Sequence, residues 1–492
     1  MKKSVLIGII VGTVALVGAV WCVVLGAPQN NCKHDDPTQI VVVEAVAPTC
    51  QKTGLTDGKK CNLCGTMVVP QAIVGTIYCI ESDWIVDLEA TNAVDGKKHT
   101  ECTMCKALIQ QESIPSGNKS LKYSLLDDNT YEVVGIGQCK DKDIVIPSEY
   151  NGLSVTSIDE RAFYWCKSLT SIKIPNSVKS IGNQAFESCE SLTSILIPDS
   201  VTSIGDEAFR DCESLTSIII PKFVRSIGGA TFYGCKSLSN IEIHDSVTSI
   251  GNYEFMGCTS LTSIEIPDSV TNIGYFAFSG CKSLTSIEIP NSVTSIGEGA
   301  FSGCSSLESM VLPFVGGSKF STIASSSTLF GYIFGTISYT GGSPTKQYLS
   351  GRYTTYYIPQ TLKTVSITGG NILDGAFCGC SNFTTINLHD RLTTIGIYAF
   401  DGCKSLTSIE IPNSVTSIGG GVFYDCTSLT SIVIPDSVTS IGYHVFWECS
   451  SLTSINFDGT AEQWNAITKG SYWNYNVPTT EVVCSNGTVS LK

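Results

Sequence analysis

The sequence predicts a β-rich repeat solenoid: 23-residue coils stacked on one another, with short strands joined by brief helical or 3-10 turns. Three observations carry this prediction. Cys166, Cys189, Cys212, Cys235, Cys258, Cys281 and Cys304 are each 23 residues apart, as are Cys380, Cys403, Cys426 and Cys449. A phenylalanine stands three residues before every one of them, from Phe163 to Phe446. An Ile-x-Ile segment followed by proline recurs on the same period, as at Ile287-Glu288-Ile289-Pro290.

The coil from Ser283 to Cys304 shows what each position does. Leu284, Ile287, Ile289, Val293, Ile296 and Phe301 supply one apolar residue at each inward place. A unit this short cannot close a core alone, so its apolar face must be covered by the next coil. Pro290 cannot donate to a ladder, so it ends the first strand and turns the chain. Gly297 follows the second short strand and permits a tight corner. Ala300-Phe301 then marks a brief helical turn.

The proline column sets the register. Pro147, Pro175, Pro198, Pro221, Pro267, Pro290, Pro313, Pro359, Pro412 and Pro435, with His244, Thr336, His389 and Asp458 as substitutes, count fourteen rungs. At about 4.8 Å per rung the rod is on the order of 65 Å long. Pro313 and Pro359 are 46 residues apart, which predicts two divergent coils over 314–358 in preference to a looser protruding loop. Seven or so extra residues then fall near Ser366 to Ile372. The solenoid is expected over 117–458. A cap over 459–492 is expected to hold a short helix near Gln463-Trp464 and a hairpin about Asn486-Gly487, closing the last rung.

Ahead of the repeat, Met1-Lys2-Lys3 leads into an apolar run from Val5 to Ala27. That run is long enough to cross a hydrocarbon core. Residues 1–28 therefore read as an uncleaved signal anchor in preference to a cleaved signal peptide, with the lysines inside and the rest of the chain outside. Residues 32–75 and 76–116 form two related small modules. Each carries Asp-Gly-Lys-Lys before a cysteine pair, Cys61 with Cys64 and Cys102 with Cys105. Pairs at this spacing fit structural zinc, and in an exported chain they equally fit disulfides in small β modules. The surrounding Val, Thr and Ile favour strands over the helix start that a redox dithiol requires.

The formal charge of −14 argues against nucleic acid and gives no electrostatic hold on anionic lipid. Membrane contact is expected only through the amino-terminal segment. The repeat unit, Ser-Ile-Gly-x-x-Ala-Phe-x-x-Cys-x-Ser-Leu-Thr-Ser-Ile-x-Ile-Pro-x-Ser-Val, resembles the BspA-type leucine-rich repeats of bacterial surface proteins and some parasitic protists. The tandem CxxC modules and the Gln463-Trp464-Asn465 tail resemble elements found beside such repeats in gut-dwelling Gram-positive bacteria. The resemblance implies a cell-surface or secreted protein that binds host matrix proteins or other cells. It identifies no ligand and no binding residue.

No catalytic constellation emerges from the Ser-rich rungs, so no enzyme and no cofactor beyond structural zinc in the modules is expected. His244 and His389 occupy the proline column and read as turn residues. The cysteine column reads as buried free thiols, because stacked parallel side chains poorly satisfy disulfide geometry. The middle residue of Ile-x-Ile turns outward by strand alternation. Reading down that column, Glu242, Glu265, Glu288, Val311, Phe334 and Tyr357 are expected to form one edge of a face that binds an extracellular protein or a host-cell ligand. The competing readings are a passive stalk or surface coat, and a carbohydrate-binding protein using Tyr348, Tyr353, Tyr356 and Tyr357.

Overall fold

The computed structural model describes residues 121–137 and 141–491, and before them the backbone of short strands from Ile40–Val43 to Leu108–Ile114. The signal-anchor segment lies outside the described residues, as do Cys64, Cys102 and Cys105. Among the described residues no helix is long and apolar enough to cross a membrane.

The chain divides into two compact units, Met1–Ile114 and Pro115–Lys492. In the first, Gly58–Cys61 pairs antiparallel with both Ile40–Val43 and Met67–Val69. Gly96–Glu101 likewise lies between Ile85–Leu88 and Leu108–Ile114. Each Gly-Lys-Lys segment is thus the central strand of a three-stranded antiparallel sheet.

The second unit is a β-solenoid of about 15 coils of roughly 23 residues. Each coil has three sides. The first strands run parallel in register, Ile172 beside Ile195 and Ile218 beside Ile241. The second strands do the same, Ile181 beside Ile204. The third side takes the form of paired turns around Ala-Phe-x-x-Cys, stitched between coils by Phe163 N–H to Ala185 O at 2.8 Å and Trp165 N–H to Glu187 O at 2.9 Å. Arg161 and Trp165 adopt left-handed backbone, φ 57° and 61°, which aims these donors along the rod. Most coils fill both left-handed places, with Gln184 and Ser188, Glu207 and Asp211, or Phe276 and Gly280 in turn.

Packing inside is a set of identical columns. The buried phenylalanine rings stack face to face, Phe163 on Phe186 at 5.2 Å with planes within 2° and Phe186 on Phe209 at 5.3 Å. Ring stacking at this separation adds to the burial of each ring. The glycine after the second strand answers a close approach rather than a bend. A Cβ on Gly182 would lie 2.6 Å from the Glu160 nitrogen, and on Gly297 2.4 Å from the Tyr275 nitrogen. Successive coils touch backbone to backbone there, and any side chain would hold them apart.

The central segment departs from the expected pair of divergent coils. Ser309–Leu312 pairs directly with Thr364–Ile367, which pairs in turn with Thr385–Asn387. One enlarged coil therefore spans the interval, and Thr368, not Pro359, follows its first strand. Pro359 ends an antiparallel hairpin, Gly342–Leu349 with Arg352–Pro359. Its tip, Ser350-Gly351, has φ of 50° and 83°, the paired left-handed geometry of a two-residue hairpin turn. The 46-residue proline spacing is a coincidence of loop length. Short 3-10 segments, Ser326–Thr328 and Phe330–Ile333, keep the third side continuous, with Phe301 N–H on Ile333 O and Phe330 N–H on Ala376 O.

At the far end the ladders run past Asp458. Ile455 pairs parallel with Val482, and Ser440 with Thr468, so the tail contributes a further coil before the hairpin Glu481–Cys484 with Gly487–Ser490 closes the stack. Ala461–Ala466 is an α-helix whose Thr460 and Gln463 form a reciprocal capping box, and buried Trp464 packs on Phe457 at 5.3 Å.

Candidate recognition face

Strand alternation places the middle residue of each first strand on the outer surface. The observed column runs Lys173, Leu196, Ile219, Glu242, Glu265, Glu288, Val311, Ser366 and Asn387. It then continues through Glu410, Val433, Asn456 and Val483. Two expected members are not in it. Phe334 is fully buried and joins the ring column between Phe301 and Phe330. Tyr357 belongs to the hairpin, opposite Pro344. Ser366 alone stands between Val311 and Asn387 where two places were expected, because the insertion adds its residues within one coil.

Glu242, Glu265 and Glu288 are exposed on successive rungs. Among the described residues none of them pairs with lysine or arginine; His244 Nε2 lies 3.9 Å from Glu242 Oε1. Like charges directly opposite one another disfavour strand pairing. The regular ladder is interrupted at the middle glutamate: Asn240–Glu242 and Ser286–Glu288 are strands, whereas 263–266 is not. A groove of about 660 Å³ opens there, lined by Glu265, Glu288, Asp245, Asp268, Val311 and the prolines Pro267 and Pro290. It is acidic along its length. On its amino-terminal flank Leu196 is 72% exposed and Ile219 46% exposed.

The other singled-out residues are structural. His389 Nε2 lies 2.9 Å from Gly370 O, and its Nδ1 accepts from Arg391 N–H, as a turn residue would. Tyr356 is buried with its hydroxyl donating to Ser326 O at 3.2 Å. Tyr348 and Tyr353 pair with each other at 4.8 Å on the hairpin. The column thiols from Cys189 to Cys449 are free and buried, and burial pushes Cys304 and Cys449 up to about 12. Among the described residues no group of three or more His, Cys, Asp or Glu side chains is arranged to hold a metal ion.

Sequence reasoning passed over one surface feature. Tyr424, Trp447 and Tyr475 stack in line, at 6.2 Å and 4.2 Å, on the third side near the carboxyl end. Tyr424 and Trp447 share one repeat position, which was a legible signal; Tyr475 falls outside the repeat.

The family model for the BspA type leucine rich repeat region matches six copies, over residues 137–243, 225–329 and 355–489. The chain belongs to the BspA-type leucine-rich repeat family. Among solved structures it is similar to a leucine-rich cell-surface protein of Faecalibacterium prausnitzii A2-165. That match has 30% identity and covers 71% of this chain and 96% of the other, with a TM-score of 0.38. A leucine-rich repeat protein of Bacteroides ovatus ATCC 8483 is 27% identical over 74% of this chain and 98% of that one, with a TM-score of 0.42. No curated protein matches. The matched residues thus form a leucine-rich repeat region of the BspA type. The six matched copies contain the whole Glu242–Glu288 column.

Proposed function

We propose that this solenoid is a cell-surface recognition protein whose outward first-strand face docks an extracellular protein, such as a host matrix or host-cell component. One observation carries the reading. Two large aliphatic side chains, Leu196 and Ile219, stand exposed in line with three glutamates that have no lysine or arginine partner among the described residues. Contiguous exposed apolar surface rimmed by charge is what association uses. Its complement is a segment with aliphatic residues facing Leu196 and Ile219 and lysine or arginine facing Glu242, Glu265 and Glu288. In this reading residues 1–28 tether the chain to the membrane. Cys61, Cys64, Cys102 and Cys105 brace the modules between tether and rod, as disulfides or around structural zinc.

The test compares the wild-type chain with the triple variant Glu242→Lys, Glu265→Lys and Glu288→Lys for binding to immobilised extracellular matrix proteins. Three lysines repel one another as three glutamates do, so the fold is equally stressed in both. Loss of about tenfold or more in affinity is expected from reversing three contacts. Equal retention by both chains, or none by either, would leave the passive-stalk reading in its place.

A further inference from the structure

A second hollow surface, of opposite charge, lies on the outer side of the second strands in the first coils. The residue just before each Ser-Ile strand is exposed, and on three successive rungs it is Lys179, Thr202 and Arg225. On the following rungs the same place holds Thr248, Thr271 and Thr294. The two cations are therefore confined to one short stretch of an otherwise acidic rod.

Two depressions meet at Thr202. One, of about 520 Å³, is walled by hydroxyl and amide side chains around Lys179, among them Ser154, Thr156 and Asn176. The other, of about 550 Å³, is walled by Lys222, Phe223, Arg225 and Ser246. Lys222 is already engaged, its Nζ 3.0 Å from Asp199 Oδ2. Among the described residues neither Lys179 nor Arg225 has a carboxylate within ion-pairing distance, although Asp128 lies near enough to Lys179 to feel its charge. Phe223 is 57% exposed.

These features define a ligand chemistry. Two unpaired cations stand two rungs apart, roughly 10 Å along the rod. Hydroxyl and amide groups lie between them, and an aromatic ring is exposed beside the second. An extended polymer with one anionic group per pair of sugar rings matches that spacing. Its hydroxyls match the Ser, Thr and Asn lining, and the apolar face of a sugar ring matches Phe223. Phosphates along a nucleic-acid strand recur too closely to fit it. The net charge of −14 repels any polyanion at a distance, so capture would depend on short-range contact and weaken with salt.

We propose that the groove from Lys179 to Arg225 is a binding site for an acidic polysaccharide, separate from the protein-docking face. The experiment measures binding of the full chain to hyaluronan, with one carboxylate per pair of sugar rings, to a keratan sulfate with one sulfate per pair, to uncharged dextran and to inorganic polyphosphate. The chain is expected to bind one of the two acidic polysaccharides and not dextran; which one is bound distinguishes sulfate from carboxylate as the anion recognised. The double variant Lys179→Gln, Arg225→Gln is expected to weaken that binding about tenfold or more, as losing two charge-assisted contacts should. Phe223→Ala should weaken it by a few fold. The pair Lys282→Gln, Lys363→Gln removes the same charge elsewhere and should change nothing. The proposal is overturned if neither acidic polysaccharide binds, if the control pair loses as much as the groove pair, or if polyphosphate binds as tightly through the same residues.

Discussion

The thiol of Cys189 donates to the carbonyl oxygen of Phe163, 3.2 Å away and one coil back. The relationship recurs from Cys212 on Phe186 to Cys304 on Phe278, and from Cys403 on Phe377 to Cys449 on Phe423. Each phenylalanine carbonyl also accepts the N–H of the cysteine in its own coil, as Phe163 does from Cys166. The cysteine therefore fills a small apolar place and links neighbouring coils. Replacing Cys258 by alanine removes both the sulfur that fills this place and the donor, and is expected to cost about 1–2 kcal/mol in a denaturant titration. A thiol-alkylating reagent, read by mass spectrometry, should leave Cys189 to Cys449 unmodified until the chain unfolds.

Glu254 stands where most other coils have alanine. It is completely buried, and neither carboxylate oxygen has a hydrogen-bond partner. Burial is the main cause holding its proton affinity well above the ordinary value of 4.5, with Asp206 acting in the same direction and the Thr231 backbone opposing. Cys235 and Cys258 are the other titratable groups beside it. The folded state thus binds this proton more tightly than the unfolded chain. The stabilisation is complete below about 4.5 and is lost as pH rises, at about 1.4 kcal/mol per unit, until the folded value is passed. Asp401, pushed up to about 6 by burial, acts in the same direction. Glu254→Gln should raise the melting temperature more at pH 8 than at pH 4. An equal shift at both would place the proton elsewhere.

Gly297 admits no side chain, since a Cβ would meet Tyr275 N at 2.4 Å and the Gly274 carbonyl carbon at 2.5 Å. Both contacts are backbone, so neither can rotate away. Gly297→Ala is expected to cost about 3 kcal/mol by overpacking. The check is a denaturation midpoint well below that of an exposed control such as Thr285→Ala.

Gln347 anchors the hairpin. Its Oε1 accepts from Gly331 N–H at 2.6 Å, and its Nε2 donates to Ala376 O at 3.2 Å and Cys378 O at 3.1 Å, all fully buried. Gln347→Ala strands the Gly331 N–H and the Cys378 carbonyl, while Ala376 O keeps the Phe330 N–H, and should cost about 3 kcal/mol. Arg352→Ala beside the tip should be nearly neutral, because that side chain is exposed. Equal damage from both changes would contradict the one-coil reading of the insertion.

The repeat was readable because Cys, Phe and Pro recur on one period and each has a single inward or turning use. The stacking of coils, the apolar columns and the outward glutamates all followed from that period. The insertion was misread because Pro359 falls on the expected spacing by chance. Ladder partners are set by which strand completes the inward column, and Val365 does so where Ile358 does not. That error carried Phe334 and Tyr357 into the outward list. The role of Gly297 was also hidden, since close approach of two backbones leaves the same residue in a sequence as a tight bend. The Lys179–Arg225 groove depends on which positions lie side by side on a second face, and that arrangement emerges only when the coils are stacked.

The most direct test of the recognition face is photo-crosslinking to a bound matrix partner from single positions on different sides of the rod. A photoreactive side chain in place of Glu265 or Ile219 samples the outward first strands, and one in place of Phe276 samples the third side. The account predicts crosslinks from positions 265 and 219 and none from 276. Crosslinks from 276 alone would contradict it.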